Sequence, residues 1–157
     1  MIEIYTENIV LPSNLDADRM REGLRQVLLD MGCAQDRVNV IFVDDEGIRR
    51  LNRTYREIDA PTDVLAFDLR DERIRPEEVT GEVYVSLQRA AEQAAQAGIS
   101  LREEVVHLAV HGLLHLAGFD DATAAERQCM ENGTRRYVRR MLATENDDRA
   151  TGPSEGV

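Results

Sequence analysis

The chain has three histidines, and they fall at four-residue steps: His107, His111 and His115. Imidazole both ligates metals and carries protons near neutral pH, so this repeat is where chemistry is first sought. On a helix, residues i and i+4 share a face and can hold one ion between them. Residues i and i+8 lie about 12 Å apart along the axis, at roughly 1.5 Å per residue. Two bonds of about 2 Å to one zinc cannot span that. One ion therefore takes two of the three, either His107 with His111 or His111 with His115.

The downstream residues choose between the pairs. Gly118 closes the helix just after His115, and Phe119-Asp120-Asp121 turns back past its end. A ligand on that turn reaches the His111–His115 pair more readily than the upstream one. Asp121 stands ten residues after His111, with Gly118 at the seventh position. The metzincin zinc pattern HExxHxxGxxH has the same spacing, with two helical ligands, a glycine turn and a third ligand. Three protein ligands with an open fourth position describe a catalytic zinc rather than a closed structural one. The blander readings are that Asp120 and Asp121 cap the next helix and that His107 is a packed residue. The expectation is one zinc per chain, with another divalent metal as the alternative.

The elements that must position these groups are legible from periodicity. Ile2 to Thr6 alternates like a strand, and Leu15 to Met31 carries apolar residues at helical spacing before Gly32. Val38 to Val43 reads as a buried strand, followed by a helix capped by Asp44 or Asp45 and reaching about Tyr55. A turn-rich loop, Arg56 to Asp63, leads to strands at Val64–Leu69 and Gly81–Ser86, with an exposed charged connection over 71–78. Three helices follow: Leu87 to Ala97, Ser100 to Ala117, and Thr123 to about Ala143, the last two opened by Ser-x-x-Glu and Thr-x-x-Glu capping boxes. The fold class is α+β: a single small domain over 1–144, a mixed four-stranded sheet packed with five helices, and the metal site on a central helix. Residues 145–157 read as a disordered acidic tail.

Composition sets limits on function. The 157 residues are 43% apolar, enough for one core, but carry a formal charge of −11. That argues against coating nucleic acid by bulk electrostatics. Every basic side chain is Arg, and two cysteines far apart give no disulfide framework or thiolate zinc site. No leader-like or membrane-length apolar run is present, so a cytoplasmic protein without a membrane partner is expected.

Three blocks carry a family resemblance. His111 to Asp120 is similar to the motif HGxLHLxGYDH, with Phe119 in the tyrosine place. Leu51-Asn52-Arg53-Thr54-Tyr55-Arg56, continuing through Asp59, Pro61-Thr62-Asp63-Val64-Leu65 and Phe67, is the second block, and Gly81-Glu82-Val83-Tyr84-Val85-Ser86 the third. Together they resemble the YbeY family of bacterial rRNA-maturation endoribonucleases over roughly Ile2 to Ala143. The resemblance implies a single-strand-specific, metal-dependent endoribonuclease acting at the 3′ end of small-subunit rRNA and in ribosome quality control. It implies metal ligands at His111, His115 and the position of Asp121, and catalytic roles for Arg56 and His107. Implied partners are rRNA, the small subunit or 70S ribosome, ribosomal proteins and an Era-type GTPase. The departure is at Asp121, where the family has histidine. Carboxylate ligates zinc well, but makes the site about one charge less positive.

The chemistry expected is hydrolysis of an RNA phosphodiester by metal-activated water, with Arg56 neutralising phosphate charge. Two rivals stand beside it. A zinc peptidase is weakened because Gly112 occupies the place of the HExxH general-base glutamate. A non-catalytic ribosome assembly factor, braced by a structural metal, is the other.

Overall fold

The computed structural model describes residues 1–70 and 78–150, with side chains as far as Ala143. The chain runs β1 (Ile2–Thr6), α1 (Ala17–Asp30), β2 (Val38–Val43), α2 (Asp45–Arg56), β3 (Val64–Asp68), β4 (Gly81–Ser86), α3 (Leu87–Ala97), α4 (Leu101–Leu116) and α5 (Ala124–Ala150). The strands form one sheet in the order β1-β2-β4-β3. β1, β2 and β4 are parallel, and β3 joins the edge antiparallel to β4. This is the α+β arrangement expected, with small shifts at element ends. α1 starts two residues late because Asp16 caps it, accepting from the amides of Asp18 and Arg19. α5 runs on to Ala150, beyond the end expected near Ala143. The rest of the acidic tail, 151–157, and the connection over 71–77 lie outside the described residues.

Strand alternation sends side chains to two faces of the sheet. Val38, Val40 and Phe42 of β2, with Val83 and Val85 of β4, enter the main core beneath α1, α4 and α5. Ile41, Val43, Leu65, Phe67 and Tyr84 face the other way and meet Ile48 and Leu51 of α2. α4 is enclosed by sheet and helices: Val105, Ala109, Val110 and Leu113 are all fully buried. Each such leucine or valine contributes about 1.5–3 kcal/mol by leaving water, so the helix bearing the histidines is among the most firmly seated elements.

Gly112 sets how closely that helix lies on the sheet. A Cβ built there would stand 2.5 Å from Cγ1 of Val83. Only glycine lets α4 approach β4 at this depth, and no glutamate fits there unless the helix moves away.

Candidate metal centre

His111 and His115 are half-buried near the C-terminal end of α4. Their rings sit edge to face, with centroids 4.8 Å apart, as the i, i+4 spacing requires. The helix then stops abruptly. Gly118 has φ +100°, a left-handed conformation that side chains rarely adopt. The amides of Gly118 and Phe119 return to the carbonyls of His115 and Leu114, and the reversed chain delivers Asp121 to the pair. Asp121 Oδ2 lies 3.5 Å from His115 Nε2.

One donor atom from each of His111, His115 and Asp121 falls within 4.8 Å of the others. A tetrahedral zinc with bonds of about 2.0–2.1 Å has ligand–ligand edges of about 3.4 Å. The His115–Asp121 separation already matches such an edge. The remaining separations are at most 4.8 Å and come to such an edge by closing about 1.4 Å or less. The donor set therefore fits one divalent ion. Asp121 is not occupied as a helix cap, because Thr123 Oγ1 accepts the amide of Glu126 and its carbonyl that of Arg127. Asp120 is not part of the cluster.

Burial depresses the pKa of His111 below its ordinary value, and the neighbouring His115 and His107 push the same way; the carboxylates of Asp63 and Asp121 oppose them. The neutral, ligand-competent imidazole is thereby favoured.

The three donors open onto a cleft of about 510 Å³, lined also by Arg56, Ile58 and Asp63. Its far wall is the loop after α2, and that wall is fixed by polar bonds. Asn52, buried on α2, donates from Nδ2 to the carbonyl of Ala60 at 2.9 Å and accepts the Ile58 amide on its own carbonyl. Arg49 grips Asp59 with two hydrogen bonds, which hold the Asp59 carboxyl below its usual range. Asp63 accepts the amide of Val64 and the side chain of Gln93. Outside the cleft lining, Arg70 Nη2 donates to the carbonyl of Leu116 at 2.6 Å, while Asp68 accepts from the same guanidinium. A cation at a helix C-terminus is favourable, and this one braces the turn between His115 and Asp121.

Of the residues singled out in the sequence, Arg56, His111, His115 and Asp121 meet around this cleft. His107 does not line it. One helical turn, about 5.4 Å, carries it back along α4. There it lies near Glu104, whose carboxyl is raised by burial and lowered by the His107 charge. Asn52, Asp63 and Arg70 also frame this region, and spacing alone does not single out Asp63 or Arg70. One signal for Asn52 was its place four residues after Ile48, a polar group on a core-facing stripe.

Two helical histidines and a carboxylate on one cleft, faced by an arginine, are a donor set of the kind used by single-domain metallohydrolases. Comparison with known proteins gives the family. The endoribonuclease YbeY family matches residues 2–142, and the chain belongs to it. Endoribonuclease YbeY of Pelotomaculum thermopropionicum is 39% identical over 149 residues, which is 86% of this chain and 98% of that protein. That of Carboxydothermus hydrogenoformans is 47% identical over 93 residues, 59% of this chain and 64% of the relative. The solution structure of TM1509 from Thermotoga maritima superposes with a TM-score of 0.68 at 28% identity, covering 100% of this chain and 99% of that one. Among the described residues no helix is long and apolar enough to cross a membrane.

Proposed function

We propose that this chain is a zinc-dependent endoribonuclease that cuts single-stranded rRNA in maturation of the small-subunit 3′ end and in ribosome quality control. The observation that carries the reading is the cleft itself: Arg56 shares it with the His111–His115–Asp121 trio, in a member of an endoribonuclease family. His111, His115 and Asp121 would hold the ion. When bound, the ion supplies Lewis acidity at the phosphate and lowers the pKa of water.

Arg56 binds and orients the phosphate. Its Nη2 donates to the carbonyl of Ala66 at 3.0 Å, which fixes the plane of the guanidinium and leaves other N–H groups for phosphate oxygens. His107, set back one helical turn from His111 and outside the cleft lining, supports the site on this reading rather than touching RNA. A peptidase reading loses further ground here. Gly112 is closed against Val83, so no general base can stand at that position. The partners that go with the reading are rRNA in the small subunit or 70S ribosome, ribosomal proteins and an Era-type GTPase, in the cytoplasm.

The test begins with protein purified without added metal. About one zinc per chain is expected in the wild type, lost in His115→Ala and Asp121→Ala. Zinc-loaded protein should cut a single-stranded small-subunit 3′ fragment, and Arg56→Ala should reduce cutting while keeping the zinc. If loaded wild type binds ribosomes but cuts no RNA, the assembly-factor reading replaces this one.

A further inference from the structure

The chain is poor in aromatics, with four Tyr and three Phe, yet Tyr55, Phe67 and Tyr84 gather in one place. Tyr55 and Phe67 meet edge to face at 5.3 Å, and Phe67 and Tyr84 at 5.9 Å. Arg56 Cζ lies 5.7 Å from the Phe67 ring centroid, while its Nη2 is held by Ala66. The guanidinium is thus a shared wall, with the aromatic cluster on one side and the metal cleft on the other. Ile58, 52% exposed, stands on the rim of the same cleft.

Tyr55 does not behave as a core residue. It is 67% exposed, at the end of a helix whose buried residues are Ile48 and Asn52. Phe67 touches part of its ring and the rest faces water. A large planar apolar surface, left open beside a fixed guanidinium and a cleft of about 510 Å³, has the chemistry of a nucleobase seat. Bases of single strands stack on aromatic rings and on arginine planes, and every base offers a π-face for this.

We propose that Tyr55, supported by Phe67, seats an unpaired base of the RNA strand whose phosphate lies against Arg56. The proposal deepens the endoribonuclease reading and rests on it. It supplies a physical source for single-strand preference. A base in a duplex is already stacked on its neighbours and must be extruded to reach Tyr55, whereas an unpaired base pays no such cost. It also predicts tolerance of base identity, since stacking reads the ring face and not its edge.

The chain has no tryptophan, so Tyr55→Trp installs a single indole reporter at the seat. With zinc-loaded protein, a short oligouridylate should quench that fluorescence, and a blunt RNA duplex of equal length should not. Tyr55→Ala should weaken oligouridylate binding about five- to hundred-fold and raise KM more than it lowers kcat. Tyr55→Phe should stay within about twofold of wild type, because the ring does the seating. The thermal midpoint of each variant, expected near the wild type for so exposed a side chain, separates a lost seat from a lost fold. Unchanged binding by a folded Tyr55→Ala, equal damage from Tyr55→Phe, or equal quenching by duplex overturns the seat. In those cases wild-type cutting of RNA leaves the endoribonuclease reading intact. If wild type neither binds nor cuts RNA, that reading fails first and the seat falls with it.

Discussion

In the proposed metal site, Asp121 supplies a carboxylate where the motif resemblance implies histidine, a change that would alter both the charge of the site and its preference among cations. With two neutral imidazoles and one carboxylate, a bound dication keeps about one net positive charge. Oxygen donors suit manganese and magnesium better than imidazole does, while imidazole suits zinc. Asp121→His is therefore expected to raise the affinity for zinc relative to manganese, read by competition titrations of the two ions on metal-free protein. An unchanged ratio would mean that Asp121 is not a ligand. That His111, His115 and Asp121 come together was readable from spacing because a helix repeats every turn and Gly118 marks where it ends. The same repeat also draws attention to His107, which shares the face but not the cleft, since periodicity does not show where a cavity stops. The bonding roles of Asn52 and Asp63 are hidden in the sequence for a different reason. Their partners are a loop carbonyl at Ala60, an adjacent amide and Gln93 on another element, and such partners are known only once the chain is folded.

The seating of α4 on β4 turns the Gly112 contact into a stability prediction. In Gly112→Ala the new methyl meets Val83 Cγ1 at 2.5 Å. Overpacking of this kind costs about 1–3 kcal/mol, offset by up to about 1 kcal/mol from the better helix propensity of alanine. A net loss is expected in denaturant unfolding, and the double variant with Val83→Ala should show coupling that relieves part of it. If Gly112→Ala is neutral and uncoupled to Val83, the close approach is not what the glycine provides. A second contact between elements depends on pH. Tyr137 of α5 donates to Asp30 Oδ2 at the end of α1 at 2.6 Å, and Arg140 lies 3.4 Å away. The Tyr137 hydrogen bond holds the Asp30 carboxyl below its usual range, burial opposes, and Arg140 assists. A depressed folded-state pKa stabilises the fold above the unfolded value, near 4, and is lost as pH falls through the lower folded value. Asp30→Asn should therefore lower the thermal midpoint at pH 7, with the gap to wild type closing as pH falls below about 4. A gap independent of pH would show that the carboxylate charge plays no part. Strand and helix identities were legible because each segment keeps one period. The extension of α5 to Ala150 was not, because no apolar stripe continues beyond Leu142 to mark it.

A formal charge of −11 sets this molecule apart from proteins that hold RNA by a broad basic surface, and it constrains how the proposed substrate can be bound. The sheet order β1-β2-β4-β3, which periodicity does not encode, places α2 on one face and α4 on the other, with the antiparallel edge strand β3 between their functional ends. Arg56 at the end of α2 and His111 and His115 near the end of α4 thus reach one cleft although they are far apart in the chain. On the proposed reading, attraction for RNA is concentrated there, in one guanidinium and the ion the trio would hold, since the net charge of the chain is negative. Single-strand affinity varies with salt with a slope of about −0.7 for each phosphate neutralised. One or two such contacts give a slope of about −0.7 to −1.4, or less than about tenfold between 50 and 200 mM salt. The expected measurement is a shallow salt dependence for oligouridylate binding by zinc-loaded protein, made shallower still by Arg56→Ala. A slope steeper than about −3 would require a basic surface beyond the cleft to carry the RNA. The arginines exposed along α5, Arg135, Arg136 and Arg139, would then be the place to look, and their substitution should flatten the slope without moving kcat.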